Sequence, residues 1–205
     1  MQYACGDIGQ SGVGTVFYAS ATAFACGANM ESSCNYLEVA PNGWNGTLVN
    51  CPGQGQTGLV QSSCGGSPNA TSDYGSIGPG TGNGYYYCTG PGQSSVIPNA
   101  SGTLIGTGYP NTSAMLTMCN SGDAADRVRG YTGGGMTDWS LPSQDELNAL
   151  YYYGGRNAIG GFAASFYWSS SEYNNYNAWL QSFNNGYHPN TEKDSTNGVR
   201  PTRAF

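Results

Sequence analysis

Residues 138–155, DWSLPSQDELNALYYYGG, carry the clearest local signal in the chain. Ser143 stands three residues before Glu146. This is the spacing of a capping box, in which the hydroxyl accepts a backbone N–H and the carboxylate reaches back to the cap's own amide. Leu147, Leu150 and Tyr151 then recur at i, i+3 and i+4, so one side of the segment is apolar. Gly154 and Gly155 suit a left-handed stop. The pattern predicts a helix over 143–153. Asp145 and Glu146 fall in its first turn, where carboxylates complement the helix dipole. Both are read as capping residues rather than catalytic ones.

Downstream, FYWSSS and NAWLQSF read as short strands, and GVRPTRAF closes the chain. They frame a stretch of unusual composition. Tyr167–Asp194 holds two Trp, four Tyr, one Lys and one His, with many Asn and Ser. A core strand would favour Val and Ile, and a disordered linker would be poor in aromatics. Tyr and Trp offer large contact area at low entropic cost, and Asn and Ser offer adaptable hydrogen bonds. The stretch is read as a contact surface interleaved with frame. Trp168, Trp179 and Phe183 are assigned to the core, where burial of each contributes about 2–3 kcal/mol.

Upstream of the helix, GVGTVFY (12–18) and CNYLEVAP (34–41) read as strands, the second ended by Pro41. From Trp44 to Pro98 the chain repeats turn chemistry: CPGQGQTG, CGGSPN and GPGTGNG. Asn111 or Thr112 is the expected cap of a helix holding Met115, Leu116 and Met118. A further helical piece over 123–129 has Ala124, Ala125 and Val128 on one face. YTGGGMTDW is a connector.

The 205 residues suffice for one domain, and only 9% are charged. All six Lys and Arg follow residue 120 and the net charge is −6. A phosphate-binding patch is therefore not expected, and nucleic acid is excluded as a partner. No apolar run is long enough to span a bilayer, so direct membrane insertion is not expected. The opening MQYACGDIGQ lacks a basic and apolar leader, and no signal peptide is expected. Seven cysteines (Cys5, Cys26, Cys34, Cys51, Cys64, Cys88 and Cys119) all precede residue 120, without CxxC spacing. They read as disulfide candidates in an oxidising compartment, with one left over, rather than as metal ligands. Four sequons, at Asn45, Asn69, Asn99 and Asn111, fit exposed loops. Glu172 has no second carboxylate nearby for glycosidase chemistry. His188 has no nucleophile motif beside it and is read as a contact or loop residue. No catalytic residue, cofactor or metal is expected.

DWSLPSQDELNALY, YWSSSEY, NAWLQSF, the following NG and VRPTRAF together resemble bacterial and phage C-type-lectin-like domains. In that group the pattern runs D-W-x-L-P-[ST]-x-x-E-L, Y-W-S-S-[ST]-E, A-W-x-x-x-F-x-x-G and V-R-x-[VT]-R. GDIGQSGVGTVFY and NYLEVAP are similar to the group's opening strands. The resemblance implies an α+β, C-type-lectin-like fold: two helices around short twisted antiparallel strands, with the chain ends paired. Residues 1–205 would form a single domain. Residues 45–100 would be a disulfide-stapled Gly/Pro/Ser-rich insertion, and 165–205 the ligand-binding region and final strands. Within the group the chain is similar to variable proteins of diversity-generating retroelements, the tropism-determinant type, and more distantly to formylglycine-generating enzymes.

Carried over, that likeness makes Tyr173, Asn174, Asn175, Tyr176, Asn177, Leu180, Gln181, Asn184, Asn185, Tyr187, His188 and Asn190 the variable, ligand-binding positions. Trp139, Trp168, Trp179, Phe183, Gly186 and Arg200 become the scaffold. Two departures narrow the function. HPN (188–190) and DWS (138–140) do not match calcium-dependent sugar-binding motifs, and no Cys follows Cys119, which counts against the formylglycine-generating activity. The expectation is an extracellular, cell-surface or virion-borne binding domain, not an enzyme, for a protein or glycan ligand on a cell surface. It could stand as a homo-oligomer or as part of a larger surface or virion protein. The alternative is a structural subunit of an appendage, phage tail or surface assembly.

Overall fold

The computed structural model describes residues 2–45 and 84–205. The readings on Cys51, Cys64, Asn69 and the repeated turns between 46 and 83 lie outside the described residues. What is described is an α+β arrangement of antiparallel strands and short helices.

Strand β1 (Thr15–Cys26) pairs with β2 (Ser32–Val39). β1 runs well past the predicted end at residue 18. Two irregularities in its ladder, between Val16 and Tyr18 and between Ala19 and Phe24, bend it. The Cys26–Cys34 disulfide closes the far end of this hairpin. β2 is buried from Tyr36 to Val39, with Leu37 and Val39 in an apolar cluster and Glu38 bonded to Ser11 and Arg203, and β8 (Thr202–Ala204) pairs along its other edge. The chain ends are thereby joined: Phe205 O accepts the amides of Asn35 and Tyr36, and Tyr3 packs edge-on against Phe205 at 5.3 Å.

A second sheet has the order β4 (Phe166–Glu172), β5 (Asn177–Ser182), β6 (Asn190–Glu192). A small ladder joins β3 (Tyr85–Tyr86) to β7 (Thr196–Asn197). The hairpin β4–β5 lies between two apolar clusters. Trp168 and its register partner Leu180 enter one cluster with Trp139, Tyr87, Leu141 and Met115. Tyr167 enters the other with Phe17, Leu37, Leu147, Leu150 and Phe183.

Four α-helices occur among the described residues, not two: α1 (Gly108–Met115), α2 (Ala124–Arg129), α3 (Gln144–Tyr152) and α4 (Arg156–Ile159). Both halves of the α3 capping box are present. Its stop differs from expectation. Tyr153 is extended, neither Gly154 nor Gly155 is left-handed, and the chain re-enters a helical turn at Arg156 that ends at Gly160 with φ 76°. α1 begins before Asn111 and Thr112, which therefore do not cap it. Thr112 Oγ1 donates to Gly108 O and accepts from Leu141 N, while the Asn111 amide donates to Gly102 O and Ser170 Oγ. Asn111 is 1% exposed, so its sequon lies in the core, not in an exposed loop.

The part of residues 45–100 that is described from residue 84 onward contributes to the core. Tyr87, Cys88, Ile97 and Ala100 are buried in the first cluster, and Cys88 is joined to Cys119. Cys5 carries an exposed free thiol and is not a bridge.

Candidate functional site

The candidate positions lie on two turns and the strands between them. The first turn, 173–176, links β4 to β5. Asn177 O accepts the amides of Tyr173 and Asn174, and Asn174 Oδ1 accepts those of Tyr176 and Asn177, both at 2.8 Å. A short polar side chain thus closes the turn as an Asx motif. Lys193 holds it from beneath, its backbone amide donating to Tyr176 O at 2.9 Å and its ammonium to Asn175 O at 3.0 Å. On this fastened backbone Tyr173 is 51% exposed and Tyr176 58%.

The second turn links β5 to β6. Gly186 N donates to Ser182 O, Asn185 Oδ1 accepts from Tyr187 N, and Gln181 Nε2 donates to Gly186 O. Gly186 has φ 78° and lies under the Tyr151 ring, 2.7 Å from where a Cβ would stand, so only glycine fits. Tyr187 is 65% exposed at the tip. The turns sit at opposite ends of a six-residue strand, about 17 Å apart at the usual rise.

Between them, alternation along β5 places Asn177, Trp179 and Gln181 on the face opposite the core-directed Ala178 and Leu180. The Trp179 ring meets the Tyr173 ring at 4.8 Å, nearly perpendicular. Asn177 Nδ2 donates to Asn190 Oδ1 at 3.0 Å across the β5–β6 ladder. His188 is half-buried. Burial pulls its pKa down and the Asp145 carboxylate opposes that.

The twelve candidate positions therefore divide. Tyr173, Asn174, Tyr176, Asn184, Asn185 and Tyr187 are exposed, and Asn175, Asn177, His188 and Asn190 are half-buried. Leu180 and Gln181, 4% and 1% exposed, do not belong to a contact face. Leu180 packs in the core, and Gln181 lies opposite Tyr167, with its Nε2 donating to Gly186 O on the second turn. Among the scaffold positions, Trp139, Trp168, Phe183 and Arg200 are buried. The Arg200 guanidinium donates to Ala40 O and Gly160 O and stacks on Phe162 at 4.1 Å. Trp179 is corrected in the other direction: it is half-buried, and its ring forms part of the face.

Sequence reasoning missed Lys193. Glu172 does not stand alone; it forms a buried ion pair with Lys193. A Lys between Glu and Asp in a polar run carries no mark of burial, and only the packing reveals it. Cys88, Cys119 and Asp123 also converge. The two sulfurs form the disulfide, and the Asp123 carboxylate accepts Thr89 N, Thr89 Oγ1 and Asn120 N, so the group is a structural staple.

Residues 93–203, more than half of the chain, match the family described as the Lcl C-terminal domain. The match spans α1–α4, β4–β8 and the whole candidate face. No curated protein matches the chain.

Proposed function

Because the chain belongs to the Lcl C-terminal domain family, associated with tropism-determinant and adhesin-like ligand binding, we propose that it is a ligand-binding domain whose contact surface is the outer face of β5–β6 and its two turns. The observation that carries this reading is the aromatic pair Tyr173–Trp179 beside the Asn177–Asn190 amides, on a backbone held by its own hydrogen bonds. Uncharged aromatic and amide groups on a fixed frame suit a protein or glycan surface, because little ordering is needed on binding. The reading assigns binding, not catalysis, to these residues. The Cys26–Cys34 and Cys88–Cys119 disulfides support an extracellular or virion setting. The C-type-lectin-like arrangement and the diversification of the exposed positions belong to the same proposal. A neighbouring reverse transcriptase gene, with a near-copy of the 3′ end differing at adenines, would establish the latter.

The test is binding of the labelled chain to intact bacterial cells and to a glycan array, against a variant carrying Tyr173→Ala, Tyr176→Ala and Tyr187→Ala. Binding is expected to disappear while the melting temperature moves by no more than about 3 °C, since exposed substitutions cost little. Undiminished binding, or global unfolding of the variant, would sink the reading. A second reading, a subunit of an extracellular assembly, is favoured by one observation, the exposed thiol of Cys5 available to a neighbouring chain.

A further inference from the structure

We propose that Lys193 and Glu172 are positioning residues for the contact surface: a buried ion pair that fixes the 173–176 turn in its binding shape. The role rests on the binding reading above. Lys193 is 0% exposed and Glu172 4%. The ammonium donates to Gly92 O at 2.8 Å, Ser95 O at 2.9 Å and Asn175 O at 3.0 Å, and to Glu172 Oε1. The Glu172 carboxylate also accepts Ile97 N, at 2.9 Å and 3.1 Å from its two oxygens. The three protons of an ammonium are therefore fully engaged, and three of the four acceptors are main-chain carbonyls.

The carbonyls come from two segments far apart in sequence. Gly92 and Ser95, with Ile97 on the carboxylate, belong to the stretch stapled by Cys88–Cys119. Asn175 belongs to the turn. Lys193 also uses its backbone, donating to Tyr176 O at 2.9 Å and accepting from Cys88 N at 3.1 Å. One residue thus ties the turn to a covalently closed part of the core.

Packing alone does not require ions at these positions. An apolar pair of similar volume often replaces a buried ion pair with no loss of stability. An apolar side chain cannot hold the Asn175 carbonyl, however, and the turn would lose its anchor while the core stayed filled. The charges serve the shape of the turn.

Hydrogen–deuterium exchange read by mass spectrometry tests this without any ligand. In a Glu172→Met, Lys193→Met double variant, peptides covering 173–177 are expected to exchange at least about tenfold faster. Peptides of the β1–β2 hairpin should keep their wild-type rate. Glu172→Gln, which keeps the shape and weakens the hold on the ammonium and on Ile97 N without removing Lys193, should accelerate the same peptides by a smaller factor, and it carries the test if the double variant does not fold. Unchanged exchange in 173–177, or acceleration spread evenly over the molecule, would overturn the proposal. Neither result depends on whether the tyrosines bind anything, so failure here is distinguishable from failure of the binding reading.

Discussion

Glu146 shows how much one side chain does in this fold. Its Oε2 accepts Ser143 N at 2.8 Å and so completes the α3 capping box. Its Oε1 accepts Gly106 N at 2.8 Å and Gly108 N at 3.4 Å, at the start of α1. The carboxyl is buried. Burial pushes its pKa up to about 7, against the opposing pull of the Ser143, Gly106 and Gly108 amides. The folded protein therefore takes up a proton more readily here than the unfolded chain does. The resulting stabilisation is complete below the ordinary carboxyl value of 4.5 and is lost as pH rises through about 7. The shift corresponds to roughly 3 kcal/mol at most. Urea midpoints across pH 4.5–8 are expected to fall with rising pH for this reason. Glu146→Gln, which cannot titrate, should lower the midpoint overall but remove most of the slope. An unchanged slope in that variant would refute the assignment. The first half of this residue's role was legible, because a capping box is a four-residue local pattern. The second half was not, because nothing in the sequence around 108 announces that a carboxylate 38 residues away will accept its amides.

Among the elements, β5 marks the limit of what residue type reveals. NAWLQSF reads as a strand, but Trp179 is assigned inward by its size, and Leu180 and Gln181 outward by the family likeness. Position in the sheet decides otherwise. Ala178 and Leu180 point to the first cluster, and Trp179, Gln181 and Phe183 share the other side, which is closed around Gln181 and Phe183 by the second cluster and left half-open at Trp179. Leu180→Ala should cost about 2–4 kcal/mol. Trp179→Ser should cost well under half as much, and should weaken binding instead. Urea unfolding of the two variants checks this, and equal losses would return Trp179 to the core. The same distinction explains α1. Asn111 and Thr112 are good capping residues by type, yet they are consumed inside the helix by Gly102, Ser170, Gly108 and Leu141. By contrast, α2 and α3 were placed within a residue or two, because their apolar faces and starts are local.

For the molecule as a whole, the ends of the chain are tied by charge as well as by strand pairing. Arg203 on β8 bonds Glu38 on β2 at 2.9 Å, Asp138 on the approach to α3 at 2.5 Å and Gln10 near the N-terminus at 2.7 Å. Glu38 is 0% exposed and also accepts Ser11 N and Ser11 Oγ. The VRPTRAF motif could be recognised in sequence, but its reason lies in partners up to 193 residues distant. Arg203→Met would leave the Glu38 charge buried without its cation, an outcome that typically costs 3–5 kcal/mol. Glu38→Gln with Arg203→Met removes both charges and keeps one acceptor oxygen for Ser11 N, while the Ser11 hydroxyl can turn to accept from the new NH2, and should recover a large part of that loss. Chemical denaturation of the wild type, both singles and the double measures the coupling. A coupling below about 1 kcal/mol would mean that the ion pair behaves like a surface pair. The β2–β8 ladder and the Tyr3–Tyr36–Phe205 rings would then hold the ends together without it.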